Sequence, residues 1–247
     1  MRLADVHLHL PEYQDPSSVI DNAKDRGMLL VSCAVNLAQT DLNLRLRAEN
    51  PGVLRCFSGV HPSDASKEGP VLDRERFLEL VRASDGVGEI GLDPKYSELG
   101  EGSMQRRWFL MQLEAAEKTG KPVQVHSRGS ERQCLDILGT FRLRAVLMHW
   151  FEGQEDGTTG EVVSRGYFVS FGPALLYSKR LRTLARVISE DRELTESDGP
   201  VSFKALGGAG GPDTVASVAF GLAELWGHGF SDMARRLDEN LSAFLGP

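Results

Sequence analysis

Eight short apolar runs, each followed by a stretch of helical periodicity, restrict this chain more than any other feature. The runs cover residues 3–7, 28–34, 53–58, 86–90, 123–126, 145–149, 167–171 and 193–197, the last unusually polar. Helical patterns lie between them. The first opens at Asp15-Pro16, an N-cap followed by a proline at the first helical position, and closes at Gly27. Others span 41–49, 71–81, 103–119, 131–138 and 179–188, with a poorly defined one ending at 161–165. In the long one Met104, Trp108, Met111 and Ala115 recur at helical spacing. Two more helices, 212–226 and 231–245, follow the last run. Strands alternating with helices argue for parallel β/α organisation. Eight such units in 247 residues suggest an α/β fold closed into a single (β/α)8 TIM-type barrel. No linker interrupts the pattern, so residues 1–247 are expected to form one domain. The loosest stretch is the glycine-rich segment 207–211, read as a flexible loop after the eighth strand.

The net charge of -7 leaves no overall basic footprint for passive phosphate binding. It does not argue against metal-assisted phosphate chemistry, because a bound cation is often the largest local charge in a site. Cys33, Cys56 and Cys134 are widely spaced, odd in number and without a Cys-x-x-Cys pair. They read as buried thiols of a reducing compartment. With no basic-then-apolar N-terminal segment and no apolar run near the roughly 20 residues that span a bilayer, a cytoplasmic protein without membrane contact is expected.

The first strand ends in Asp5-Val6-His7-Leu8-His9. Side chains alternate along a strand, so His7 and His9 point the same way. Two imidazoles held like this can share a divalent cation, or can simply lie on a polar strand face. In a barrel, chemistry gathers at the C-terminal ends of the strands. Glu89 in strand four, His126 ending strand five, His149 ending strand six and Asp198 after strand eight fall there too. Singly, each could be a rim or turn residue. Together, four histidines and two carboxylates reach one rim from five strands. His228 is left as a surface residue.

With these residues in place, the chain resembles the TatD-type metal-dependent deoxyribonucleases of the amidohydrolase-like barrel superfamily. The matching pieces, in order, are Asp5-Val6-His7-Leu8-His9, Gly59-Val60-His61-Pro62, Gly88-Glu89-Ile90-Gly91-Leu92-Asp93, Val125-His126-Ser127-Arg128, His149-Trp150-Phe151-Glu152-Gly153 and Glu196-Ser197-Asp198-Gly199-Pro200. Residues 240–244 look like the family's closing helix. The resemblance implies two divalent metal ions, Zn, Mn or Mg. His7, His9, Glu89 and Asp198 would hold the first, and a bridging Glu89 with His126 and His149 the second. It further implies a DNA substrate, single-stranded or an end, cleaved by water activated at the binuclear centre. Asp198 would take the proton and His61 would donate to a phosphate oxygen. Arg128 and Lys95, just past matched strand ends, could contact phosphate or be solvated surface charges. Asp93 could orient a histidine ligand from behind.

Three departures bear on substrate. The family's Arg-Asn-Glu-Pro-like segment is replaced by Gly210-Gly211-Pro212, Glu152 stands where relatives carry serine, and Tyr96 is the only aromatic residue just after Asp93. Trp150 and Phe151 could stack on a base or pack between barrel and helix. The competing functions are a binuclear hydrolase of esters, amides or aminoacyl links and a metal-stabilised binding protein without turnover, since fold alone does not choose the bond.

Overall fold

The computed structural model describes residues 2–66, 73–153, 157–203, 205 and 207–246. Eight parallel strands are hydrogen-bonded in chain order: β1 (Ala4–Leu8), β2 (Leu29–Cys33), β3 (Leu54–Ser58), β4 (Gly86–Gly91), β5 (Val123–His126), β6 (Val146–Met148), β7 (Phe168–Phe171) and β8 (Glu193–Thr195). Among the described residues, ten α-helices accompany them: α1 (Pro16–Asp25), α2 (Leu37–Glu49), α3 (Pro62–Ala65), α4 (Arg74–Ala83), α5 (Met104–Thr119), α6 (Glu131–Leu138), α7 (Thr158–Ser164), α8 (Lys179–Ala185), α9 (Val215–Trp226) and α10 (Phe230–Leu245). The expected barrel is therefore the observed one, and its strands begin and end within about three residues of the sequence reading. The expected start of α4 at residues 71–72 lies outside the described residues. The ill-defined seventh helix is real, running over Thr158–Ser164. Asp15 caps α1 as expected, its carboxylate accepting from Ser18 N at 3.1 Å.

The polar eighth strand has a physical reason. The segment after β8 meets β1 through an isolated parallel bridge, Leu8 to Gly199, rather than a full ladder. Side chains complete the seam. Thr195 Oγ1 donates to Ala4 O at 2.9 Å, and Ser197 N donates to Asp5 Oδ1 at 2.9 Å. An all-apolar strand could not make these bonds, and a buried unpaired backbone carbonyl is costly.

The far end of the barrel is closed by α10. Met233, Ala234, Leu237, Leu241 and Phe244 bury one face of that helix. Phe244 packs on the rings of Phe57 and Phe168, 6.0 and 5.5 Å between centroids. Asn240 Nδ2 donates to Glu190 O at 2.7 Å and to Glu193 O at 2.8 Å. Nearby, Trp226 Nε1 donates to Glu193 Oε2 at 3.0 Å. His228 lies partly exposed, as expected of a surface residue, with its Nε2 2.6 Å from Glu190 Oε2. The three cysteines are free and buried, as expected. Among the described residues, no helix is long and apolar enough to cross a membrane.

The glycine-rich segment departs from expectation. Gly208–Ala209 forms a short strand, β10, paired antiparallel with β9 (Ser202–Phe203). The stretch read as a flexible loop is thus the return arm of a hairpin beside the barrel mouth.

Candidate metal centre

Every strand-end residue singled out from the sequence reaches one pocket. Glu89 sits at its centre. Its Oε2 lies 3.5 Å from His7 Nε2 and 3.3 Å from His9 Nε2. Its Oε1 lies 2.7 Å from His126 Nδ1, 3.6 Å from His149 Nε2 and 3.7 Å from His61 Nε2. Asp198 Oδ1 closes the group at 3.6, 3.5 and 3.9 Å from the Nε2 atoms of His7, His9 and His149. The backbone permits this crowding where β4 ends. Gly91 has φ 146°, and a Cβ there would meet His126 O at 1.9 Å, so only glycine lets β4 run this close to β5. Asp198 itself takes φ 51°, a left-handed conformation that aspartate tolerates better than most residues.

Hydrogen bonds at the far nitrogens set which way each ring faces. His7 Nδ1 donates to Gln124 Oε1 at 2.6 Å, His9 Nδ1 to Cys33 O at 3.0 Å, and His149 Nδ1 to Glu196 Oε2 at 2.8 Å. Each of these rings therefore turns Nε2 toward the two carboxylates. His61 is reversed. Its Nδ1 accepts from Ser63 N at 3.1 Å, leaving Nε2–H to face the pocket. His126 is held on both sides, with Nε2 2.9 Å from Asp93 Oδ2 as well as Nδ1 on Glu89. Asp93 thus stands behind His126, where the sequence reading put it.

Without a cation, protons are the positive charges available to balance these carboxylates. Burial opposes charge on His9, yet its bonds to Asp198 and Glu89 push it up to about 10. His126 goes to about 9 against the same burial, through Asp93 and Glu89. His7 is also raised, burial being outweighed by Cys33 and Glu89. Burial and the neighbouring imidazoles instead press His61 down to about 4 and His149 to about 3. Glu89, although buried, is held well below its usual range by the surrounding histidines.

Buried His7 Nε2 has no hydrogen-bond partner. Its separations from Glu89 and Asp198, like those of His149 Nε2, exceed the 2.7–2.9 Å of a charge-assisted hydrogen bond. Nitrogen lone pairs aimed at carboxylate oxygens across such gaps repel unless positive charge lies between them. The donor set fits a divalent cation of the zinc or manganese kind, which takes mixed imidazole and carboxylate ligands. Three triads have donor atoms within 4.8 Å of one another: His7, His9 and Glu89; His61, Glu89 and His126; and His7, His149 and Glu196.

Lys95 and Arg128 stand apart from this cluster, exposed on the rim of the same cavity of about 810 Å³. Lys95 Nζ lies 5.3 Å from the Tyr96 ring centroid. Phe151 is buried, whereas Trp150 lines the cavity.

Three residues around the centre carry no role in the sequence reading, although Asp5 and Glu196 stand inside its quoted motifs. Glu196 receives His149 Nδ1 and also Trp150 N at 3.1 Å; burial pushes it up to about 7. Gln124 orients His7 and anchors itself through Nε2 to Val6 O at 2.7 Å. Asp5, also raised by burial to about 7, receives Ser197 at the seam. Each lies two residues before a recognised one (His126, Asp198, His7), so strand alternation alone points to them.

The chain is similar to known proteins along most of its length. A family profile described as TatD related DNase matches residues 4–246. A Homo sapiens protein named deoxyribonuclease TATDN3 is 28% identical over 215 residues, covering 80% of this chain and 78% of its own. An uncharacterized metal-dependent hydrolase of Haemophilus influenzae is 28% identical over 235 residues, 90% of this chain and 91% of its own. The crystal structure of YjjV, a TatD homologue of Escherichia coli K12, superposes with a TM-score of 0.81 at 23% identity, covering 99% of this chain and 98% of that one.

Proposed function

The chain belongs to the TatD related DNase family, and on that premise we propose that it is a metal-dependent hydrolase cleaving the phosphodiester bonds of DNA. The observation that carries the reading is the set of Nε2 atoms turned on Glu89 and Asp198, with that of His7 left unpartnered. Two divalent ions, Zn, Mn or Mg, fit the set. His7, His9, Glu89 and Asp198 would hold one; Glu89, His126 and His149 would hold the other. Such ions, when bound, supply Lewis acidity toward phosphate and lower the pKa of water.

The remaining chemistry belongs to the chain. Asp198 accepts the proton of the attacking water, its side chain being the more exposed of the two central carboxylates at 11% against 3%. His61, neutral and with Nδ1 occupied by Ser63 N, donates Nε2–H to a non-bridging phosphate oxygen. Asp93 and Glu196 fix the orientation of His126 and His149. Lys95 and Arg128 hold a flanking phosphate at the rim.

The test is metal-stripped protein reconstituted with Zn²⁺, Mn²⁺ or Mg²⁺ and assayed on end-labelled single-stranded DNA, beside ester, lactone and amide panels. Metal-dependent release of nucleotides is expected. Turnover of esters or amides with intact DNA would assign the centre to a different bond. Metal binding without any turnover would make the protein a binding module.

A further inference from the structure

Trp150 follows His149 directly and lines the same cavity as Glu89, His126 and Asp198. Its backbone sits at φ 40°, a conformation that a bulky residue adopts at a cost. The indole is stacked flat on Phe203, 5.0 Å between centroids and 12° between planes. Phe203 is 4% exposed and is fixed from below by the glycine-rich arm: a Cβ on Gly210 would come within 2.6 Å of its ring. One face of the indole is therefore covered and immobilised, while the half-buried ring still borders the cavity. Its edge is turned to His149, 6.3 Å away at 86°. The charge nearest in sequence on this wall is Glu152, paired with Arg180 at 3.4 Å, and the exposed neighbour Val201 is apolar. Among the described residues, the cations lining the cavity are Lys95 and Arg128, from the loops after β4 and β5.

We propose that Trp150, backed by Phe203, is a stacking platform for an unpaired nucleobase adjacent to the cleaved phosphate, so that the enzyme selects single strands and frayed ends. The proposal rests on the phosphodiesterase reading. A rigid aromatic face binds any base through its π-surface without reading sequence. A base stacked and paired inside a duplex cannot present that face. A wall bearing an indole, a valine and a glutamate suits an uncharged base better than a phosphate, which Lys95 and Arg128 serve.

Two readouts test it. The first compares kcat/KM on a single-stranded oligonucleotide with that on the same strand carrying abasic residues at its last positions. The wild type favours the base-bearing strand by roughly 10-fold. In Trp150→Ala that ratio falls to about 1-fold, chiefly through KM, and Trp150→Phe retains an intermediate ratio. The second is tryptophan fluorescence of metal-stripped protein titrated with the two strands. Quenching by the base-bearing strand, weaker with the abasic one and lost in Trp150→Phe, supports the platform. An unchanged ratio in Trp150→Ala, or quenching that persists in Trp150→Phe, overturns it. If no strand is hydrolysed but the quenching pattern holds, the phosphodiesterase reading falls and the platform stands. Hydrolysis without discrimination or quenching has the opposite meaning.

Discussion

The two ends of the barrel solve the burial of polar groups in opposite ways. At the closed end, Asn240 spends both amide hydrogens on backbone carbonyls, and Phe244 fills the space beneath the strands. At the open end, five carboxylates (Asp5, Glu89, Asp93, Glu196 and Asp198) and five histidines crowd together with His7 Nε2 unpartnered. Matched polar groups contribute to stability, whereas mismatched ones cost stability and persist where they serve a function. Substitutions at the open end should therefore cost activity and spare the fold, and those at the closed end should do the reverse.

The sharpest separation is expected from Asp198→Asn. It should lower kcat roughly 10²–10⁴-fold while metal-stripped protein still unfolds in one cooperative thermal transition. Next comes Phe244→Ala, expected to cost about 3–5 kcal/mol in denaturant unfolding, with kcat of the folded fraction retained. A matching loss of activity per folded molecule would break the division between the two ends. His61→Ala should lower kcat roughly 10²–10³-fold, the range for removing one oriented donor, with metal content unchanged by elemental analysis; loss of metal would instead make His61 a ligand. Glu196→Gln should weaken metal affinity about 10–100-fold by calorimetry.

Much of this contrast was legible in the chain, because the apolar runs carry the barrel and strand alternation carries His7 and His9. The same alternation marks Asp5, Gln124 and Glu196, yet nothing about a buried glutamine or glutamate in isolation says that it holds a histidine. The polarity of β8 was visible without its cause, which lies in a seam between residues nearly 200 apart. The hairpin of β9 and β10 was illegible for a different reason. Glycine-rich composition signals freedom, and only the packing of Gly210 on Phe203 shows that the freedom is spent on close approach.

The smallest effect concerns Glu193, where the closed end departs from this division. Its Oε1 has no partner, and burial pushes the carboxyl up to about 8. A raised folded pKa means that its stabilising contribution is complete below the unfolded value near 4.5 and is lost as pH rises through about 8. Glu193→Gln should therefore be the more stable form at pH 9, on the order of 1–3 kcal/mol, with the gap closing toward pH 5. A gap independent of pH would mean that Glu193 is ionised in the fold.

Diffraction from crystals soaked in Mn²⁺, collected at an energy where manganese scatters anomalously, addresses the central claim most directly. An anomalous peak in direct contact with Glu89 and His9 is expected, with Asp198 as a further ligand. Density showing the pocket filled by water alone, or manganese bound only outside it, would contradict the account.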